Sequence, residues 1–292
     1  MGVYTINQKF RAVPPALAAR PPSQRQVSVA EMFGIGLDET YEVTLYAGLA
    51  LDVRPGDIVY ITGPSGSGKS VLLRHLERAL RDARPDGGHV VDLARLHPPT
   101  DRPVIDLPAA PLEAALRLLS TAGLADALAL LRPAAELSDG QRYRLRLALA
   151  LDRLLAGPRT DPGTPGHSPA APGRCPAGRV LVADEFCSTL DRLCARALAY
   201  RVRRLVDRHG LTVLAASAHD DLVEDLAPDV LVTKHEGRGV EVRYADPTRE
   251  PQEGAGARRR GQASVPPTSR SGLEDSSSRS RLGGRAGGEG DQ

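Results

Sequence analysis

The 292-residue chain is 41% apolar, 3% aromatic and 25% charged, with a formal net charge of +2 at pH 7. That apolar content fills a sizeable core packed from Leu, Val and Ala rather than rings, which suits a layered α/β fold. A charge this close to neutral singles out no nucleic-acid or membrane partner. The Leu/Ala-rich stretch 109–131 is interrupted by Glu113, Arg117, Gly123 and Asp126, so it is no membrane span. The N-terminus, with Lys9, Arg11 and paired prolines, lacks the apolar region of a secretory leader. A cytoplasmic location is expected, with Cys175, Cys187 and Cys194 as free thiols without metal-ligand spacing.

Residues 1–25 carry Pro14-Pro15 and Pro21-Pro22 among alanines and arginines, a composition expected to form a flexible arm. From Gln26, a strand-like Val27-Ser28-Val29, then Tyr41 to Leu45 and Leu49 to Val53, alternate as a small antiparallel sheet would. Ile58 to Thr62 is a β-branched, apolar run that enters Gly63-Pro64-Ser65-Gly66-Ser67-Gly68-Lys69-Ser70, and Val71 continues into a helix-like segment. Strand, glycine loop and helix are the context that Gly, four residues, Gly-Lys-Ser requires to bind phosphate. The glycines let successive N–H groups converge on an anion, and the helix adds its positive end. Lys69 would reach the β- and γ-phosphates, and the Ser70 hydroxyl would hold Mg²⁺, a hard cation that prefers oxygen.

Further on, residues 89–93 read as a strand and 112–120 and 125–131 as helices. The run from Arg142 to Leu151 is a longer helix with Ser138 or Asp139 as its N-cap, and these helices form a short helical subdomain over about residues 100–150. Residues 157–178 are dense in Pro, Gly and Ser and predict a disordered surface insertion. Arg179 to Ala183 reads as a strand buried on both faces, and it ends in Asp184-Glu185. A helix from Asp191 to His209 closed by Gly210, a strand from Leu211 to Ala216 leading to His219, and a terminal pair at 230–232 and 240–242 complete the domain. Its bounds are 26–245, with a disordered tail over 246–292. The tail's Arg258-Arg259-Arg260 is diluted by Glu253, Glu274 and Asp275, which favours solvation over a nucleic-acid or lipid contact and leaves nucleic acid open as a partner.

In an α/β sheet, working residues gather outside the carboxyl ends of the strands. Asp184 there can share the metal held by Ser70, and Glu185 can polarise a water for attack on the γ-phosphate. Leu137-Ser138-Asp139-Gly140-Gln141, Ser188-Thr189-Leu190-Asp191 and Ala218-His219-Asp220 follow in order. With the phosphate loop and Asp184-Glu185, this set over about residues 26–245 resembles the ATP-binding cassette (ABC) ATPases. Residues 137–141 resemble the family's LSGGQ signature, residues 188–191 its D-loop and residues 218–220 its switch-histidine loop.

The resemblance implies a phosphate-loop NTPase fold in three layers with a mainly parallel core sheet, and an ATPase using ATP and Mg²⁺. It implies that two cassettes face head to tail, so that ATP held by Gly63 to Val71 of one is covered by Ser138 and the Gly140 amide of the other. His219 would contact the γ-phosphate and Asp191 would lie across the interface. One set of motifs implies a homodimer, or a heterodimer with a separate cassette.

The chain departs from the family at three places. Asp139 replaces a signature glycine, Phe186 stands where proline is usual, and no glutamine lies between the phosphate loop and the signature. Asp106 is the expected substitute for that glutamine as an oxygen ligand. For the aromatic under adenine, Tyr41 is nearest the family spacing and Phe33 is the alternative. Residues 183–191 also look similar to a non-transporter branch fused elsewhere to a predicted acetyltransferase domain, and this chain is expected to carry the cassette alone. ATP hydrolysis with dimer closure is the leading reading. The alternatives are the ATP-binding subunit of a membrane transporter, whose membrane subunit is not encoded here, and a non-transport switch acting on protein or nucleic acid.

Overall fold

The computed structural model describes residues 2–11, 21–34, 42–83, 89–155, 178–235 and 239–248. The expectations for Tyr41, Cys175, the insertion and nearly all of the tail fall outside these residues. The strands are β1 (Gly2–Arg11), β2 (Glu42–Val53), β3 (Ile58–Thr62), β4 (Val90–Asp92), β5 (Val180–Ala183), β6 (Thr212–Ser217), β7 (Val230–Lys234) and β8 (Val240–Tyr244). The helices are α1 (Gln24–Phe33), α2 (Lys69–Asp82), α3 (Leu112–Thr121), α4 (Ala127–Leu131), α5 (Asp139–Leu155), α6 (Arg192–His209) and α7 (Val223–Leu226). Six strands form one sheet in the order β4-β5-β6-β3-β7-β8, parallel except for the β7–β8 pair, and β1 and β2 form a separate antiparallel sheet.

Strands β3, β5 and β6 are buried along their whole length, as continuous apolar runs in a parallel sheet must be. Successive residues point to opposite faces, so each strand supplies two cores. On one side Ile58, Tyr60, Leu181, Ala183, Val213 and Ala215 pack with residues of α5 and α6. On the other, Val59, Ile61, Val180, Val182, Leu214 and Ala216 pack with Leu72, Leu73, Leu76 and Leu80 of α2 and with Ile6, Tyr46, Leu51 and Val53 of the small sheet. This is the three-layer arrangement expected from the motifs.

The N-terminal segment corrects the sequence reading in two ways. Residues 2–11 are no free arm: they pair antiparallel with β2 from Gly2↔Val53 to Arg11↔Glu42, with shifts in register beside Gln8. The alternation of Val3, Tyr4, Thr5 and Ile6 puts Ile6 into the core at 5% exposure, and His75 Nε2 of α2 lies 2.6 Å from Gln8 Oε1. The prolines that suggested an arm lie beyond the strand. Conversely, Val27-Ser28-Val29 is not a strand but part of α1. Ser23 Oγ accepts the Gln26 N–H (3.3 Å), Gln26 Oε1 accepts the Ser23 N–H (2.8 Å), and Gly34 closes the helix at φ 63°. The capping box and left-handed glycine outweigh two β-branched residues.

Gly63 ends β3 at φ 143°, where a Cβ would lie 2.2 Å from the Lys234 carbonyl oxygen of β7. Only glycine lets the two backbones come this close. Gly63→Ala is expected to destabilise the protein by about 2 kcal/mol or more in denaturant unfolding. Ile6→Ala is expected to cost ~2–4 kcal/mol in the same measurement, whereas residues 2–11 as a free arm would leave stability unchanged.

Candidate active site at the strand ends

The loop from Gly63 to Ser70 is shaped by left-handed glycines, Gly66 at φ 75° and Gly68 at φ 96°. No side chain caps the N-terminus of α2, so its positive end faces the loop's concavity and attracts an anion. A buried strut supports the loop from below. Lys234, 1% exposed, donates from Nζ to the Leu45 carbonyl (3.0 Å) and lies 5.0 Å from the Tyr46 ring centroid. The Tyr46 hydroxyl in turn donates to the Gly68 carbonyl (2.9 Å). Burial lowers the Lys234 pKa and pushes the Tyr46 phenol up to about 12.

Lys69 Nζ donates to the Pro64 carbonyl at 2.7 Å. Desolvation pulls its pKa down, against the opposing pull of Asp184 and Glu185. An ammonium short of hydration and held among carbonyls gains from an anionic ligand. Ser70 Oγ donates to Asp184 Oδ1 at 3.0 Å, joining residues 114 apart in the chain, and the Glu185 N–H donates to the same oxygen at 3.2 Å. A hydroxyl and a carboxylate oxygen placed together at the mouth of the loop are the hard donors Mg²⁺ takes from a protein that leaves its remaining positions to phosphate and water.

His219 follows β6 and is held by β3, which carries the loop. Its carbonyl accepts from the Tyr60 hydroxyl (2.6 Å) and from Thr62 Oγ1 (3.4 Å), and its N–H donates to Ser217 Oγ (3.2 Å). Parallel pairing therefore puts Lys69, Asp184-Glu185 and His219 at the same end of three adjacent strands.

Ser138, Asp139, Gly140 and Asp191 form a second group. Ser138 Oγ accepts the Gln141 N–H (3.3 Å) while Gln141 Oε1 accepts the Ser138 N–H (3.0 Å), a capping box at the start of α5. A Cβ on Gly140 would lie 3.3 Å from the Thr189 carbonyl oxygen and 3.2 Å from Leu190, so this end of α5 packs on the loop before α6. Asp191 caps α6, its Oδ1 accepting the Cys194 N–H (2.9 Å). The Asp139 charge does not stand alone: Oδ1 is 2.6 Å from Arg142 Nη2, which holds its carboxyl below the usual range. Ser138, Asp139 and Asp191 all face solvent.

The two remaining site candidates, Asp106 and Phe33, both lie at the surface. Asp106 is exposed at the end of a 3₁₀ turn (Val104–Asp106), and its carbonyl accepts from Arg102 (2.6 Å). The carboxyl end of β4, beside Asp184's strand, carries Asp92. Asp92 is buried and paired with Arg74 and Arg95; Arg74 also binds Glu77 (3.0 Å) and comes to 3.9 Å from Asp184 Oδ2. An acid at the end of the strand read over 89–93 was the available signal for Asp92, whose pairing with Arg74 and Arg95 no local pattern discloses. Of the two aromatic candidates, Phe33 ends α1 at 74% exposure.

The model of the ABC transporter family matches residues 46–106, from the small sheet through the phosphate loop to the segment after β4. The aliphatic sulfonates import ATP-binding protein SsuB of Delftia acidovorans is 34% identical over 198 residues, covering 64% of this chain and 72% of its own. The methionine import ATP-binding protein MetN of Thermobifida fusca is 30% identical over 225 residues, and the chain spans 61% of that protein's length. Among solved structures, the dimeric bacterial ABC transporter cassette MJ0796 shares the fold with a TM-score of 0.51 at 16% identity, over 70% of this chain and 93% of that one. With the loop, the acidic strand end, the capped LSDGQ helix and the histidine in one sheet, and SsuB related over most of its length, the chain belongs to the ABC family of ATP-binding cassettes.

Proposed function

We propose that the protein hydrolyses ATP to ADP and phosphate between two cassettes placed head to tail, each supplying one of the two groups of residues described above. The observation that carries this reading is the 3.0 Å contact between Ser70 Oγ and Asp184 Oδ1, which joins the phosphate loop to the acidic strand end. The amides of Gly66 to Ser70 and the Lys69 ammonium bind the triphosphate. Ser70 and Asp184 would hold Mg²⁺, which when bound neutralises charge on the β- and γ-phosphates. Glu185 accepts a proton from the attacking water, and His219 orients the γ-phosphate. Ser138 and Gly140 of the second copy close the site over the phosphate, and the Asp139–Arg142 pair keeps a bare carboxylate away from it.

A second reading, the ATP-binding subunit of a membrane importer acting from the cytoplasmic side, is favoured by one feature of the helical block. Leu112, Leu116, Leu128 and Leu131 are exposed there, and the relatives SsuB and MetN bear import names. Among the described residues no helix is long and apolar enough to cross a membrane.

Lys69→Ala should weaken equilibrium ATP binding about tenfold or more. Glu185→Gln should keep that binding, lose about a hundredfold or more in turnover, and elute as a dimer with ATP in size-exclusion chromatography. Wild-type turnover by Glu185→Gln would remove Glu185 as the base. Turnover that falls with the membrane fraction depleted, and returns with it, would select the importer reading.

A further inference from the structure

Glu185 and Cys187 hold φ angles of 52° and 60°, values that residues with a Cβ adopt at a cost and keep only where the surroundings impose them. Within the turn, the Ser188 N–H donates to the Glu185 carbonyl (3.0 Å) and the Leu190 N–H to the Cys187 carbonyl (3.1 Å). Two bonds tie the turn to the rest of the fold. The Phe186 N–H donates to the Ala216 carbonyl of β6 (2.7 Å), a bond that a proline could not make, and the Phe186 side chain is fully buried. The Cys187 N–H donates to the phenol oxygen of Tyr143 (3.1 Å), 44 residues away on the second turn of α5. Burial pushes the Cys187 thiol up to about 12.

We propose that Tyr143 is a positioning residue for hydrolysis: its hydroxyl holds Cys187 in the left-handed conformation and so fixes where Glu185 leaves β5. The inference rests on the ATPase reading above and adds a residue that touches neither nucleotide nor water. Tyr143 and Cys187 are both buried, so no solvent replaces the phenol oxygen when it is removed, and the Cys187 N–H is left without a partner. The turn then relaxes toward ordinary backbone angles and carries Glu185 with it. Lys69 and Ser70 open α2, the loop glycines lie between β3 and α2, and none of them bonds to Tyr143 or Cys187, so nucleotide affinity is untouched. Because Tyr143 and Gly140 both pack on residues 187–190, the rate at Glu185 depends on the seating of α5.

The test is Tyr143→Phe in the full chain, which keeps the ring and deletes the acceptor. ATP affinity is measured by equilibrium binding, turnover by phosphate release, and stability by thermal melting. We expect kcat to fall about tenfold with the Kd for ATP unchanged within about twofold. Tyr143→Phe/Cys187→Gly, in which glycine takes the left-handed angle at no steric cost, recovers most of the lost rate and serves if the single variant does not fold. Unchanged kcat with a lowered melting temperature would overturn the proposal, since the bond would then be structural only. A Kd that rises in step with the fall in kcat, or a double variant that is folded and no faster than the single one, overturns it as well. The two readings fail separately. Wild-type protein that does not turn over ATP removes the ATPase reading and the inference with it, whereas active wild type with equally active Tyr143→Phe removes only the inference.

Discussion

Strand β3 sits between β6 and β7 with both faces buried, and the remaining features of the site take their positions from it. A strand enclosed this way has a single acceptable register, because a slip by one residue would exchange the faces that meet the two cores. The end of β3 is therefore a fixed point. From it the chain must turn immediately past Lys234 at Gly63, where no Cβ fits, and enter the loop that starts α2. The neighbouring parallel strands end at the same level, which sets Asp184 within reach of Ser70 without any contact dedicated to bringing them together.

Much of this was legible in the sequence because the signals are local and physically compulsory. The apolar runs at 58–62, 179–183 and 211–216 are as short and bounded as enclosed strands are, and the glycine spacing from 63 to 68 between strand and helix fits a phosphate loop. Helix bounds followed from caps: Ser138 at α5, Asp191 and Gly210 at α6. The errors came where pairing with distant residues decides. Nothing near residues 2–11 reveals that β2, some forty residues later, offers an open edge, and the adjoining prolines suggested an arm. At 27–29 two valines suggested a strand, while the capping box from Ser23 to Gln26 imposed a helix. Asp92 went unremarked although its strand was read at 89–93, because its meaning depends on Arg74, which reaches it from α2.

The polar chemistry near the site is handled by pairing rather than by exposure to water. Glu77 and Asp92 are buried acids, but Arg74, Arg81 and Arg95 surround them. Breaking such a group leaves an uncompensated charge, which costs far more than the intact group contributes. At the surface the Asp139–Arg142 pair serves a different purpose. An exposed ion pair adds little stability, but here it changes the field at the start of α5, the end that meets the second cassette in the proposed arrangement. A carboxylate in place of glycine is tolerable there because its neutralising partner lies one helical turn away.

The strut of Lys234, Tyr46 and the Gly68 carbonyl has a thermodynamic consequence for binding. Lys234 and Tyr46 are buried and hold the Gly68 carbonyl from beneath, so the curvature of the loop is constrained from within the fold. The conformational entropy of ordering those residues is lost once, when the chain folds, and does not recur with each nucleotide that arrives. Affinity can then reflect the converging amides and Lys69 almost undiminished, and product departure need not wait for the cradle to dissolve.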